Sequence, residues 1–184
     1  NCAIPVAATT SYVRSSDSSC FLSGTGDVED AADPRLGPLR DNGGGIYTID
    51  TTSAMATKVS QLTVALDGAS FGVDFNPVAD RLRIVSDRGQ NLRHNVIAGG
   101  TTLVDVPLAY TVGTTATGIT GAAYTNNDLD ADSGTTLFDI DSAQNQVAIQ
   151  APPNDGRLSA TGKLTVDPDT PVGFDIHTRL QDGV

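Results

Sequence analysis

The chain predicts an all-β fold of propeller-like, four-stranded repeats of about 50 residues, forming an incomplete ring or an open β array behind an extended N-terminal arm. Three observations predict it. The composition is poor in helix formers, with one Glu (Glu29), two Lys and one Met, and rich in Thr (22), Gly (19) and Asp (21). Thr favours strands, while Gly and Asp favour turns. No window sustains a helical apolar period, whereas Arg81–Ser86 alternates, with Leu82 and Ile84 on one side and Arg81 and Arg83 on the other. That alternation predicts a half-buried strand.

The third observation is self-similarity. Ile46-Tyr47-Thr48-Ile49-Asp50 recurs as Leu137-Phe138-Asp139-Ile140-Asp141, 91 residues on (137 − 46). Gly72-Val73-Asp74-Phe75 recurs as Gly173-Phe174-Asp175-Ile176, 101 residues on (173 − 72), and Gly121-Ala122-Ala123-Tyr124 lies between the two. Glycines that open repeated strands mark a close backbone approach or a bulge.

Taken in order, residues 1–45 read as an arm, with short apolar patches at Ile4-Pro5-Val6 and Tyr12-Val13 and a glycine joint at Gly43-Gly44-Gly45. Cys2 and Cys20 lie in it without a Cys-x-x-Cys pattern, and the even count reads as a disulfide of an exported protein, worth about 3 kcal/mol by loop closure; two unpaired thiols are the alternative. The repeat domain runs over 46–184. Its middle unit has strands at Phe71–Phe75, Arg81–Ser86, Asn91–Ile97 and Thr101–Val106, with a turn at Asn76-Pro77-Val78-Ala79-Asp80. The next unit has strands at Ile119–Thr125, Thr135–Ile140, Gln146–Gln150 and Leu158–Thr165. A partial unit precedes Phe71, and Gly173–Ile176 supplies one more first strand. Blades normally number four to eight, so this count predicts an array that does not close alone.

These segments resemble a bacterial secreted family, domain of unknown function 4394. The resemblance rests on IYTID (46–50), FGVDFNPVADRLRIVSDRGQNLRHNV (71–96), AAYTNND (122–128), TTLFDID (135–141), VAIQAPPNDG (147–156) and VGFDI (172–176). It implies exported, propeller-like repeats and brings no functional residues. Members of that family run on beyond the VGFDI motif, whereas this chain ends at Val184.

A net charge of −11 argues against nucleic acid, whose phosphates need Lys and Arg, and no apolar run approaches a membrane span. Asp128, Asp130 and Asp132 have the spacing of a calcium loop, with Asp139 at the twelfth position. Ser133 stands where such a loop has Gly, so calcium and a solvated acidic hairpin are the two readings. Calcium is the one cofactor considered. Arg81, Arg83, Arg88 and Arg93 form a basic patch in sequence, read either as a surface for an acidic glycan or as partners of Asp74, Asp80 and Asp87. Asp74 and Asp175 recur at matched positions, which favours turn bonds to backbone amides over catalysis. His94 and His177 lie in different units, and no G-x-S-x-G elbow is present.

The expected function is therefore non-enzymatic, at the cell surface or outside the cell. The leading reading is a structural protein that associates with copies of itself by β-strand donation, extending to a filament, through Ile4, Val6, Tyr12 and Val13 of the arm or Phe174 and Ile176 of the last strand. The alternative is a monomeric extracellular binding module for calcium or a glycan.

Overall fold

The computed structural model describes residues 43–126, 131–168 and 172–177. All of them belong to the unit Asn42–Val184. The arm residues Cys2, Ile4, Val6, Tyr12, Val13 and Cys20, and Asp128 and Asp130 of the acidic loop, lie outside the described residues.

Among the described residues, ten strands form three antiparallel sheets, none closed into a barrel. A hairpin pairs β1 (Gly45–Ile49) with β2 (Ala56–Gln61). A four-stranded meander follows: β3 (Phe71–Asn76), β4 (Arg81–Ser86), β5 (Asn91–His94) and β6 (Thr102–Val104). The second meander comprises β7 (Ile119–Tyr124), β8 (Leu137–Asp141), β9 (Gln146–Gln150) and β10 (Leu158–Lys163). The all-β class and the open array stand as expected.

Local chemistry explains the turns. Asn76 Oδ1 accepts from the backbone of Val78 and Ala79, each at 2.9 Å, and Asp80 closes the turn at φ 49°. Ser86 Oγ accepts from Arg88 and Gln90 at 3.2 Å, around Gly89 at φ +80°. β5 stops three residues short of the predicted Ile97 because the chain folds back. Asn95 N–H reaches Thr101 O at 3.2 Å and Gly100 N–H reaches Ile97 O at 2.9 Å.

The first meander is the middle layer. Leu82, Ile84 and Leu92 pack on Ile46, Leu62 and Val64 from the hairpin side. From the other face, Val85 joins Ile119, Ala122, Tyr124, Leu137 and Ala148 of the second meander. Leu82–Ser86 are all buried, which corrects the half-buried expectation for β4. Both faces are covered, and the polar side of the strand is taken up between the sheets rather than by solvent.

Glycines set the spacing between the meanders. A Cβ on Gly72 would lie 2.5 Å from Ala122 N and 2.5 Å from the Gly121 carbonyl carbon. Only a bare backbone lets β3 approach β7 so closely. Gly121 sits at a register shift in β7, and a Cβ there would come within 3.1 Å of Phe174 Cβ. Both readings of the repeated glycines are realised, close approach at Gly72 and a bulge at Gly121.

Candidate functional site

The predicted basic patch is distributed over three environments. Arg83 is 1% exposed between the meanders. Its Nε donates to Tyr124 Oη (3.2 Å), Nη1 to Asn91 Oδ1 (2.7 Å) and Asp105 Oδ2 (2.6 Å), and Nη2 to Asn154 Oδ1 (2.8 Å). Arg93, opposite Arg83 in register, grips both oxygens of Asp105 at 2.6 and 2.8 Å. That bond holds its guanidinium above its ordinary value. Arg88 makes an exposed pair with Asp67 at 3.2 Å, and Arg81 Nη1 donates to the carbonyls of Ala79 (3.3 Å) and Asp80 (2.7 Å). The expected acidic partners have other work. Asp74 accepts from the backbone of Phe75 (2.7 Å) and Tyr124 (2.6 Å), and Asp87 accepts from Ala69 (2.9 Å). Asp175 repeats the local bond, accepting from Ile176 at 2.8 Å. Both recurring aspartates thus hold backbone amides.

The two described members of the acidic series lie apart in character. Asp132 is exposed on a 3₁₀ turn, Ala131–Ser133, while Asp139 is fully buried on β8. Neither Asp139 oxygen has a hydrogen-bond partner. Burial pushes its carboxyl up to about 8, with the nearby Arg83 charge opposing. Among the described residues no three His, Cys, Asp or Glu side chains come together as a metal site.

His94 is a linker within the core. Ser60 Oγ donates to Ile97 O (3.1 Å), so it accepts from His94 Nε2 (2.8 Å). Thr102 Oγ1 accepts from Thr63 N–H (2.9 Å) and donates to His94 Nδ1 (3.0 Å). The two hydroxyls bracket the ring, one at each nitrogen. Burial lowers its pKa, the Thr101 carbonyl opposing.

Two of the surface clefts bear on these residues. One, of about 280 Å³, lies among Asp74, Phe75, Asn76, Asp80, Tyr124 and Asp175; Ile176 also reaches it. The other, of about 380 Å³, lies between the crossover segment that follows β6 and the start of β10. Its wall includes Val106, Pro107, Ala109, Tyr110 and Val112, and Arg157 lines it. This cleft has a rigid frame. Val106 N–H bonds Asn154 O at 3.1 Å, Ala109 N–H bonds Gly156 O at 2.8 Å, and Leu158 N–H bonds Ala109 O at 3.0 Å. Gly156, at φ 60°, is needed here, because a Cβ would run into the carbonyl oxygens of Val106 and Pro107. Tyr110 is pinned as well, its hydroxyl donating to Asp141 Oδ2 (2.8 Å) and accepting from Gln146 Nε2 (2.9 Å). Its burial pushes the phenol up.

Sequence reasoning missed this cleft. Thr114-Thr115 reads as surface, and Arg157 is an isolated residue after a turn. The one signal available is that Arg157 is a lone cation in a stretch otherwise acidic.

Fold and clefts together define an all-β repeat protein, two four-stranded meanders and a hairpin in an open stack, with a ligand-sized hollow on a braced crossover. The chain belongs to the family described as Domain of unknown function (DUF4394), which matches residues 32–183. No curated protein matches it. It is similar to a solved structure, the crystal structure of an auxiliary nutrient binding protein from Bacteroides thetaiotaomicron VPI-5482, at 17% identity and a TM-score of 0.42. That match covers 65% of this chain and 31% of the other, so the chain spans about a third of that protein's length. Among the described residues no helix is long and apolar enough to cross a membrane.

Proposed function

We propose that the protein is an exported, non-enzymatic binding module whose small-molecule ligand occupies the Val106–Arg157 cleft. The observation that carries this reading is a hollow of about 380 Å³ with an aliphatic and tyrosine wall, braced by backbone hydrogen bonds on the crossover. Ligand sites are concave, mostly apolar, largely preformed and of roughly 300–1,000 Å³. A fragment screen by amide NMR tests it. Ligands should shift the amides of Ala109, Tyr110, Thr114 and Arg157, and Ala109→Trp, which fills the hollow, should abolish those shifts. A screen without a cleft ligand, or ligands indifferent to Ala109→Trp, would remove the reading.

Association between copies by strand addition is the second reading. The observation favouring it is the β6 edge, where Leu103 is 52% and Val104 66% exposed. Of the C-terminal anchors, Phe174 is half-buried beside Gly121 of its own chain, and Ile176 is half-buried at the acidic cleft, so neither starts out free for donation. Light scattering across a concentration series separates the readings. Growth in mass that Leu103→Lys suppresses would favour this one.

A further inference from the structure

Resting on the binding-module reading, we propose that the Val106–Arg157 cleft selects an apolar monocarboxylate, with its hydrocarbon body on the Tyr110–Val112 wall and its carboxylate on the Arg157 guanidinium. Nearly all the positive charge of the described residues is already engaged. Arg83 and Arg93 are taken by Asp105, Arg88 by Asp67, and Arg81 by two carbonyls. Lys58 Nζ donates to Gln61 Oε1 and Lys163 Nζ to Gln144 O. Among the described residues, Arg157 is the one Lys or Arg whose side chain makes neither a hydrogen bond nor an ion pair.

That is unexpected from composition. The chain carries 22 acidic residues against 11 Lys and Arg, so a guanidinium has an excess of possible partners. None of the described acidic side chains pairs with Arg157. Its backbone is fixed by the parallel bridge to Ala109, and Ala151 N–H donates to its carbonyl at 2.9 Å. The residue is therefore held at the rim of an apolar hollow with its five donors unused. A guanidinium in that setting fits a carboxylate, whose two oxygens match its fork.

Asp155 lines the same cleft and is exposed, its carboxylate also without a partner among the described residues. It adds a negative charge to the lining, so a ligand with two carboxylates meets more repulsion there than one with a single acid group. At about 380 Å³ the hollow has room for a body the size of a phenylpropanoate.

The test uses the full chain and three matched probes: 3-phenylpropanoate, 3-phenylpropanamide and 3-phenylpropylamine. Affinities come from amide-shift titrations. The acid should bind about fivefold tighter than the amide, the scale of one solvent-facing charged contact. Arg157→Gln should bring the acid down to the level of the amide while leaving the amide unchanged, and Arg157→Lys should restore part of the difference. The thermal midpoints of both variants verify that they fold. Equal binding of acid and amide, an unchanged ratio in Arg157→Gln, or preference for the amine would overturn the carboxylate while leaving the binding module in place. Cleft ligands in the fragment screen with no response to the acid would do the same. No cleft ligand of any kind would remove both readings.

Discussion

The backbone N–H of Tyr124 donates to Asp74 Oδ2 at 2.6 Å, tying the end of β7 to a carboxylate on β3. The same carboxylate accepts its own neighbour, Phe75 N–H, through Oδ1 at 2.7 Å. One side chain therefore satisfies an amide in each meander. Asp74→Asn can present only one acceptor oxygen, so one of the two amides loses its partner in either orientation of the amide group. The expected loss is about 1–3 kcal/mol in urea unfolding, and Asp74→Ala should cost at least as much. A midpoint unchanged in both variants would show that the two meanders do not depend on this bond.

Gly72→Ala should destabilise by about 1–3 kcal/mol or more, because the added methyl meets backbone rather than a side chain that can turn away. Gly162→Ala is the control. It has open space around it and no left-handed backbone, so its effect should stay within about 1 kcal/mol and can be stabilising. Denaturant midpoints of the two variants compare the positions directly.

Asp139 gives the fold a stability that falls as pH rises from 3.8 to about 8. Its folded value, about 8, lies above its ordinary 3.8, so the folded chain holds a proton that the unfolded chain releases. The contribution is full below pH 3.8 and is lost as pH rises toward 8. Asp139→Asn keeps the neutral shape without a titrating proton. It should flatten that fall and raise the thermal midpoint most at pH 8 and above. A wild-type slope retained by the variant would assign the fall to another group.

His94 acts in the opposite sense. Its folded value is lowered from 6.5, so the contribution is present above pH 6.5 and is lost as pH falls below it. His94→Phe removes the bridge between Ser60 and Thr102 and should cost about 1–3 kcal/mol at pH 7.5. The deficit against wild type should narrow toward pH 5. Ring-proton NMR of the wild type checks the cause: the His94 signals should titrate below those of a free imidazole.

What the sequence discloses here is what is local. The Asn76–Asp80 turn was legible because Asn76 serves amides two and three residues away. Two of the three glycine-marked strands were legible, for different reasons, close approach at Gly72 and a register shift at Gly121, whereas the predicted strand Gly173–Ile176 does not form and Gly173 has open space around it. The fate of Arg83 was not, since its partners Asp105, Tyr124 and Asn154 stand 22, 41 and 71 residues away in the chain. No periodicity announces such a meeting. The cleft was hidden for a similar reason. Its walls come from a crossover without strand alternation and from a turn whose glycine makes room for the distant carbonyls of Val106 and Pro107, so neither half suggests a hollow until the other lies beside it.

The notch at Gly72 and the hook at Asp74 both face forward, toward a later part of the chain. Gly121 is then met by Phe174, which is later still. At these contacts the recess or the hook lies on the earlier segment and what fills it on the later one. The face that the first meander turns to the second is therefore chemically unlike the face that it turns to the hairpin, where aliphatic side chains meet instead.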